Sequence, residues 1–496
     1  GEQTSSLDAS VQRLALQALQ AQLAVLADQG AEDAAAVVLH NRSGEVLAYV
    51  GSSGRFSRAA QVDAAMAPRQ AGSTLKPFLY ALAFDQHLLS PASLLDDSPL
   101  ALPTEAGLYT PRNYDHRHAG PVSVRRALAS SMNIPAVRAL QLTGVQAFHQ
   151  QLRALGLDSL VHEAPHYGPS LALGAADVNL LQLTNAYRTL ANGGRYSAVR
   201  WHVASDAPDL PVGQVLISPA SAWLVGHILA DNAARAGTFG FDSVLATPFW
   251  TAVKTGTSKD MRDNWAVGWS ERYTVGVWVG NASGAAMHDV SGTSGAAPIW
   301  SAVMSFLHTR EPSRAPKAPA GLLEARVQFG PGPAMGDMHA GAPEHRPPLE
   351  ATRDEWFLQG TQQAFFAIDS IAEKAYPSRA EGQKSFKKLP VQTAEAPTGP
   401  ARITAPAPGT IIALDPDIPP ARQRLQFTAT GEGLLWRMDG KPLGRGQRVA
   451  WLPWPGRHVV QITNAQGGVL DEIHIEVRGA GVAAGTAAAP IRSSAH

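Results

Sequence analysis

The segment Pro68-Arg69-Gln70-Ala71-Gly72-Ser73-Thr74-Leu75-Lys76-Pro77-Phe78 combines a glycine, a serine and a lysine just where a helix is predicted to begin. The helix is expected to start near Ser73 and to run through Phe84. Residues three apart share one face of a helix, so the side chains of Ser73 and Lys76 can meet. A Ser-x-x-Lys match alone is weak evidence of chemistry, because a helix N-cap serine followed by a solvated lysine also produces it.

Two further motifs follow in order along the chain. The first is Ser131-Met132-Asn133, just before Ile134-Pro135, and the second is Lys254-Thr255-Gly256-Thr257-Ser258, at the end of a predicted strand. Each of them is also common by itself. The three motifs in this order and context favour a catalytic site over coincidence.

These residue types supply the parts of serine nucleophilic catalysis. A serine hydroxyl is a poor nucleophile until a base takes its proton. A lysine is such a base only when its amine is neutral, which burial and nearby positive charge promote. We expect Lys76 to act on Ser73, with Lys254 as the second cation. Ser131 can relay a proton between Lys76 and the leaving amine, and Asn133 can hold Lys76 or the substrate amide.

The third motif is expected to bind the substrate. A tetrahedral intermediate needs two donors for its oxyanion, and the backbone N–H groups of Ser73 and Thr257 are the candidates. The hydroxyls of Thr255 and Thr257, with Lys254, are candidates for binding a substrate carboxylate. The open strand can also accept an extended peptide by strand addition. The predicted substrate-binding residues are Thr255, Gly256, Thr257 and Ser258.

The pattern of elements predicts an α+β domain. Residues 7–26 have helical spacing, and two β-rich runs around Gly44 predict a hairpin. Further helices are predicted across residues 122–140, 175–192 and 297–307. Strands at 249–255, 264–269 and 273–279 predict an antiparallel meander. An early hairpin, central helices and a late meander indicate one sheet that joins both ends of the segment.

The composition changes beyond residue 310. Residues 311–346 and 390–400 are rich in Pro, Gly and Ala and indicate connections, with an apolar island at 355–358 expected to pack on a neighbour. After residue 400, short strand-like runs alternate with Asp-Gly and Pro-Gly turns, which predicts a small all-β sandwich. The tail from residue 479 is rich in Ala and Gly and is expected to be disordered.

Composition also excludes several classes of protein. The 496 residues include 41 basic and 41 acidic side chains, and this balance argues against a nucleic-acid partner. Cysteine is absent, so disulfides and thiolate metal sites are excluded. The 16 histidines show no metal-ligand spacing, so we expect no metal and no other cofactor. We predict no membrane helix, because no apolar run approaches about 18 to 20 residues, and no signal peptide.

At its motifs the sequence resembles the transpeptidase domain of class A penicillin-binding proteins. The resemblance covers about residues 35–310 and includes residues 68–78, 129–137, 173–174, 186–187, 191–194 and 263–268. Residues 416–420, 436–440 and 454–456 are similar to the extra β-domain of the penicillin-binding protein 1C type.

This resemblance implies a serine penicillin-recognising transpeptidase/β-lactamase-like fold. It implies a D-Ala-D-Ala transpeptidase that cross-links peptidoglycan stem peptides through a Ser73 acyl-enzyme and is inhibited by β-lactams. It also implies a periplasmic location, with a membrane anchor and a glycosyltransferase domain expected outside this sequence. The predicted division is 1–34 inter-domain linker, 35–310 transpeptidase domain, 311–396 connection, 397–480 β-sandwich domain and 481–496 disordered tail.

Alternative functions stay open at this point. A β-lactamase of class A deacylates through a glutamate, and no glutamate between Ser131 and Lys254 has a matching setting. A DD-carboxypeptidase uses the same residues with water as acceptor, and a penicillin-binding sensor or scaffold is acylated but turns over poorly. The β-domain is either an adaptor or a binder of a protein partner through Trp436, Trp451 and Trp454, although tryptophans in small β-domains are more often core residues.

Overall fold

A computed structural model of the chain describes residues 4–104, 107–113, 118–203, 213–240, 243–330, 348–367, 401–406, 408–413, 425–431, 433–454, 456–464 and 466–478. The chain divides into two compact units, one formed by Gly1–Leu100 and Pro111–Glu373 and the other by Ala101–Thr110 and Lys374–His496. The predicted connection at 390–400, the 416–420 segment and the tail from residue 479 lie outside the described residues.

The α-helices all belong to the first unit. They are α1 (Ala9–Val25), α2 (Lys76–Asp85), α3 (Val124–Ala129), α4 (Asn133–Thr143), α5 (Val145–Ala154), α6 (Ala164–Tyr167), α7 (Leu180–Ala191), α8 (Pro219–Leu229), α9 (Asn232–Phe239) and α10 (Ala296–Leu307). Short 3-10 helices include Gly72–Leu75, directly before α2.

The strands occur in both units. Those of the first unit are β1 (Asp33–His40), β2 (Val46–Val50), β3 (Arg69–Gln70), β4 (Leu94–Asp96), β7 (Pro121–Ser123), β8 (Asp177–Val178), β9 (Arg195–Tyr196), β10 (Gln214–Val215), β11 (Ala252–Thr257), β12 (Asp263–Trp269), β13 (Tyr273–Gly280), β14 (Leu322–Phe329), β15 (Arg353–Leu358) and β16 (Phe365–Phe366). Those of the second are β5 (Leu102–Thr104), β6 (Gly107–Tyr109), β17 (Arg402–Ala405), β18 (Ile411–Ala413), β19 (Leu425–Thr430), β20 (Leu435–Met438), β21 (Lys441–Arg445), β22 (Arg448–Trp451), β23 (Gly456–Thr463) and β24 (Val469–Arg478).

The central sheet of the first unit has the strand order β11-β12-β13-β1-β2. β1 pairs antiparallel with β13, so the beginning of the chain and the later meander share one sheet, as predicted. Val275 and Val277 belong to the core that contains α1 and α10. Gly276, between them, faces the other side of the sheet, where a Cβ atom would lie 2.0 Å from Oγ1 of Thr184 on α7. Because successive side chains along β13 point to opposite faces of the sheet, helices pack on both faces of the sheet.

The helix predicted over residues 7–26 is α1. The Asp8 carboxylate caps it by accepting hydrogen bonds from the backbone N–H groups of Ser10 and Val11. Its buried stripe consists of Val11, Ala15, Leu19 and Leu23. This stripe lies in the same core as α10, so the segment packs as part of the first unit.

The helix predicted across residues 122–140 is wrong in one respect, because the structure contains two helices. α3 ends at Ala129 and α4 begins at Asn133. Between them Ser131 has a φ of +59°, in the left-handed region that a helix cannot continue through. The second motif therefore spans the break, with Ser131 in the turn between the helices and Asn133 as the first residue of α4.

The predicted connection beyond residue 310 contains regular structure. Strand β14 pairs antiparallel with β15 and parallel with β16. The predicted apolar island lies on β15, where Phe357 is fully buried. The pattern of alternating side chains in β14 was obscured by the Pro- and Gly-rich sequence on either side of it.

Among the described residues, the second unit contains two larger sheets, with the strand orders β17-β19-β22 and β18-β24-β23-β20-β21, and the two-stranded sheet β5-β6. Residues of both larger sheets, among them Phe427 and Ile475, share one core, as expected for a sandwich. Trp436 and Trp451 are buried there, whereas Trp454 is 39% exposed. Among all the described helices, none is both long and apolar enough to cross a bilayer.

Candidate active site

Ser73 lies on the 3-10 turn that precedes α2, and this turn packs closely against β11. Gly72 has a φ of +55°, and a Cβ atom there would lie 2.5 Å from the backbone oxygen of Thr257. Only glycine permits this approach without a backbone shift. The predicted nucleophile and the predicted substrate-binding strand are therefore adjacent.

Lys76 begins α2 and is fully buried. Its Nζ atom donates to the backbone oxygen of Ser131 at 2.7 Å and to Oδ1 of Asn133 at 2.6 Å. Nδ2 of Asn133 donates to the backbone oxygen of Arg112 at 2.8 Å, which fixes the orientation of the amide. The first and second motifs thus meet at the Lys76 amine.

Two residues that support Asn133 carried no signal in the sequence. The side-chain oxygen of Asn113 accepts from the backbone N–H of Asn133 at 2.9 Å, at the start of α4. Nδ2 of Asn113 donates to Oδ1 of Asp97 at 2.5 Å, and both side chains are buried. Neither residue belongs to a motif, so their role is visible only in the folded chain.

Ser131 lies between the two lysines of the motifs. Nζ of Lys254 donates to Oγ of Ser131 at 2.7 Å and to the backbone oxygen of Thr255 at 2.9 Å. The hydroxyl of Ser131 therefore contacts Lys254, while its carbonyl contacts Lys76. A backbone carbonyl has no proton to pass on, so the contact that can carry a proton is the one between the Ser131 hydroxyl and the Lys254 amine.

Burial and positive charge shape the electrostatics of this cluster. Burial lowers the pKa of Lys254 well below its usual value, and the nearby charges of Lys76 and Arg235 lower it further. Arg235 on α9 is 4% exposed, and burial lowers the pKa of its own guanidinium to about 10. The sequence did not indicate Arg235, because no motif contains it.

The remaining residues of the third motif lie along β11, at an edge of the sheet. Thr255 is buried and Thr257 is half-buried, with the Thr257 hydroxyl accepting from the backbone N–H of Gly292 at 3.1 Å. A Cβ atom on Gly256 would lie 2.7 Å from Cγ2 of Thr74, so the glycine permits contact with the nucleophile turn. The hydroxyl of Ser258 donates to Oδ2 of Asp263 at 2.7 Å and holds the turn after the strand.

No group of three or more potential metal ligands occurs within the described ranges. A serine at a helix start, two buried lysines that contact a second serine, and an edge strand form the candidate active site.

The chain belongs to the penicillin-binding protein transpeptidase family. The family model described as penicillin binding protein transpeptidase domain matches residues 34–305. A second model, the penicillin-binding protein C-terminus family, matches residues 390–475. The two matches together confirm the predicted fold and the resemblance to the 1C type.

Individual relatives agree with this assignment. Penicillin-binding protein 1C of Escherichia coli is 36% identical over 279 residues, which cover 56% of this chain and 34% of that protein. The chain therefore spans about a third of the length of this relative.

Solved structures agree as well. The PonA1 protein of Mycobacterium tuberculosis in complex with penicillin V is 26% identical, with a TM-score of 0.53 over 64% of this chain and 88% of that one. Penicillin-binding protein 1A of Haemophilus influenzae, at 24% identity, shares the fold with a TM-score of 0.56 over 66% of this chain and 53% of that one.

Proposed function

We propose that this chain is a D-Ala-D-Ala transpeptidase that cross-links peptidoglycan stem peptides through an acyl-enzyme on Ser73. The observation that carries the proposal is the cluster of Lys76, Ser131 and Lys254, in which two buried lysine amines contact Ser131 beside the turn that bears Ser73. A neutral amine in this cluster takes the proton of the nucleophile, and the contact between Lys254 and the Ser131 hydroxyl returns a proton to the leaving group.

The first half of the reaction forms the acyl-enzyme. The Ser73 oxygen attacks the carbonyl carbon of the penultimate D-Ala while its proton passes to a neutral amine of the lysine pair. The backbone N–H groups of Ser73 and Thr257 stabilise the oxyanion. When the peptide bond breaks, the Ser131 hydroxyl delivers a proton to the nitrogen of the departing D-Ala and takes one back from the protonated amine of Lys254, which it contacts.

The second half transfers the acyl group to an acceptor. An amine of a second stem peptide attacks the Ser73 ester and loses a proton to the lysine pair, and Ser73 recovers its proton as the ester bond breaks. Thr255, Gly256 and Thr257 on the open edge of β11 provide backbone groups for an extended donor peptide. Ser258 contributes its backbone there, since its hydroxyl contacts Asp263.

A β-lactam is expected to acylate the same serine. Opening of the lactam ring forms the Ser73 ester and leaves the amine attached to the acyl group, so no leaving group departs to make room for an acceptor. The complex of the related PonA1 protein with penicillin V supports this step.

The cellular setting follows from the substrate. Peptidoglycan lies outside the inner membrane, so we place the protein in the periplasm, held at the membrane by a segment outside this sequence. The second unit is proposed as a module that binds a protein partner, with the exposed Trp454 as the residue to test.

The intact mass of the protein after incubation with a penicillin tests the acyl-enzyme. We expect one stable adduct of one drug mass on the parent chain and none on Ser73→Ala. Absence of an adduct while the drug stays intact would reject the proposal in favour of a binding protein. Absence of an adduct while the drug is consumed would instead show a hydrolase.

Release of D-Ala from a stem pentapeptide, with and without an added amine acceptor, tests the second half of the reaction, in which the acyl group is transferred to the acceptor. Cross-linked product that grows with acceptor concentration is expected for a transpeptidase. Tetrapeptide as the sole product would show a DD-carboxypeptidase, and acylation without turnover would show a sensor or scaffold.

A further inference from the structure

The three-stranded sheet of β14, β15 and β16 lies in a part of the chain that neither family model matches. It belongs to the first unit, as the transpeptidase residues do. Val327, Phe329 and Phe357 are buried in a small core together with Ala92. We call the described residues 322–330 and 348–366 the appended sheet. Its polar side chains reach two helices that border the active site.

Glu355, on β15, forms a buried ion pair with Arg125 of α3. Nε of Arg125 lies 2.8 Å from Oε2 of Glu355, and Nη2 lies 2.6 Å from Oε1. Nη1 of Arg125 donates to Oδ2 of Asp231 at 3.1 Å, and Nη2 also contacts Nδ1 of His227 at 2.9 Å. Glu355 is fully buried, so removing its charge leaves a buried guanidinium with too few partners.

Glu350 contacts the start of α3. Ser123 is the N-cap residue of this helix. Glu350 accepts from the backbone N–H of Ser123 at 2.7 Å and from its hydroxyl at 2.8 Å. Arg353 joins the two carboxylates, at 2.7 Å from Glu350 and 3.1 Å from Glu355. The appended sheet therefore holds the N-terminal end of α3 at two points.

The same ion pair reaches α9 through Asp231. The second carboxylate oxygen of Asp231 accepts from the backbone N–H of Ala234 and caps that helix. The backbone oxygen of Ala234 accepts from the Ser130 hydroxyl at 3.1 Å, and the Thr238 hydroxyl donates to the backbone oxygen of Ser130 at 3.3 Å. α3 and α9 thus both hold the residue immediately before Ser131.

We propose that Glu355 and Glu350 are positioning residues for Ser131, acting through α3 and α9. Ser131 has a positive φ, a conformation that persists in a non-glycine residue only where its surroundings enforce it. The appended sheet fixes the two helices that enclose this turn, and it thereby keeps the Ser131 hydroxyl in contact with Lys254. The inference rests on the proposed acyl transfer by Ser73.

The test compares Glu355→Gln with the parent in the second-order rate of acylation by a fluorescent penicillin. We expect the rate to fall about tenfold or more, because small displacements of a reacting group have large effects on rate. The matched control is Asp354→Asn on the same strand, whose pair with Arg326 is solvent-exposed, with side chains 56% and 63% exposed. The control is expected to acylate at the parent rate.

Introducing Glu355→Gln into a Ser131→Ala variant distinguishes a positioning role of Glu355 from a role in stability alone. In Ser131→Ala, whose slow acylation is followed by intact mass at high drug concentration, Glu355→Gln is expected to change the rate by less than about twofold, since the hydroxyl that Glu355 is proposed to position is gone. An equal loss in both backgrounds would overturn the proposal. So would a lower melting temperature with an unchanged acylation rate per folded molecule.

If Glu355→Gln does not fold, Glu350→Gln replaces it, since that change weakens the cap of α3 and leaves the Arg125–Glu355 pair in place. A parent chain that is not acylated at all refutes the proposed function. An acylated parent with a fully active, folded Glu355→Gln variant refutes only the positioning role.

Discussion

Single charges around Lys254 set the protonation of the active site. The amine of Lys254 contacts the Ser131 hydroxyl, and burial together with the charge of Lys76 holds the pKa of Lys254 well below its usual value. Positive charge beside a buried amine favours its neutral form. Arg235 is the nearby cation outside the three motifs that has this effect on Lys254.

Replacement of Arg235 by Gln is expected to shift the pH dependence of acylation. Removing this neighbouring positive charge raises the pKa of Lys254. The acylation rate rises as Lys254 loses its proton, so the rise is expected to move to higher pH by up to about one pH unit. The rate constant with a penicillin, measured from about pH 6 to about pH 10, gives the shift.

The control for this change is Lys259→Gln, which removes an exposed cation from the turn after β11. Solvent screens such a charge, so the profile should match that of the parent. If both variants shift the profile equally, or if neither does, the electrostatic role of Arg235 is disproved.

At the scale of elements, α1 shows why a segment predicted to link domains belongs to the core. Its stripe of small and aliphatic side chains packs with α10 against the central sheet. An amphipathic helix at the beginning of a domain has the same residue pattern whether it crosses to a neighbour or packs on its own sheet. Only the structure therefore shows that α1 packs with α10 against the central sheet.

Replacement of Leu19 by Ala is expected to destabilise the first unit by about 2 to 5 kcal/mol, because it leaves a cavity in a packed core. The matched change Val25→Ala, at a position that is 73% exposed on the same helix, should alter stability by less than about 0.5 kcal/mol. The stability of both variants is measured by thermal unfolding, with the loss of penicillin acylation as the signal. Equal melting temperatures for the two variants would show that α1 contributes no packing.

The break between α3 and α4 illustrates the limit of sequence patterns. Apolar periodicity continues across residues 122–140, and although Ile134-Pro135 signals a turn or helix break, nothing local places the break at Ser131. Ser131 and its neighbour Ser130 are held by residues more than 100 positions away, Lys254 and Ala234 respectively. Local propensity contains no information on those contacts.

For the whole molecule, the described residues of the catalytic cluster all lie in the first unit. The second unit has a core of its own, with Phe427, Trp436 and Trp451 at its centre. A unit with a separate core contributes little to the energetics of a site in another unit.

Truncation after residue 400 removes the second unit apart from residues 101–110 and the segment from residue 374 to residue 400, and it is expected to leave the rate of penicillin acylation within about twofold of the parent. The full-length chain is the control, and circular dichroism verifies that the truncated protein is folded. Loss of acylation in a folded truncated protein would mean that the second unit takes part in acyl transfer and is more than an adaptor or a binding module.

The sequence by itself determined the family, the order of the three motifs and the strands of the central sheet. These features are local, because a few adjacent residues specify each motif and a continuous apolar run specifies a buried strand. The meander, the early hairpin and the β-sandwich follow from such runs and from the turn residues between them.

Only the tertiary structure decided which groups meet. Lys254 and Ser131 are 123 residues apart, and Arg125 and Glu355 are 230 residues apart. The buried supports, Asp97, Asn113 and Arg235, lie outside every motif. A buried polar group needs a partner, but its residue type does not say which one, because distance in space and not in sequence selects that partner.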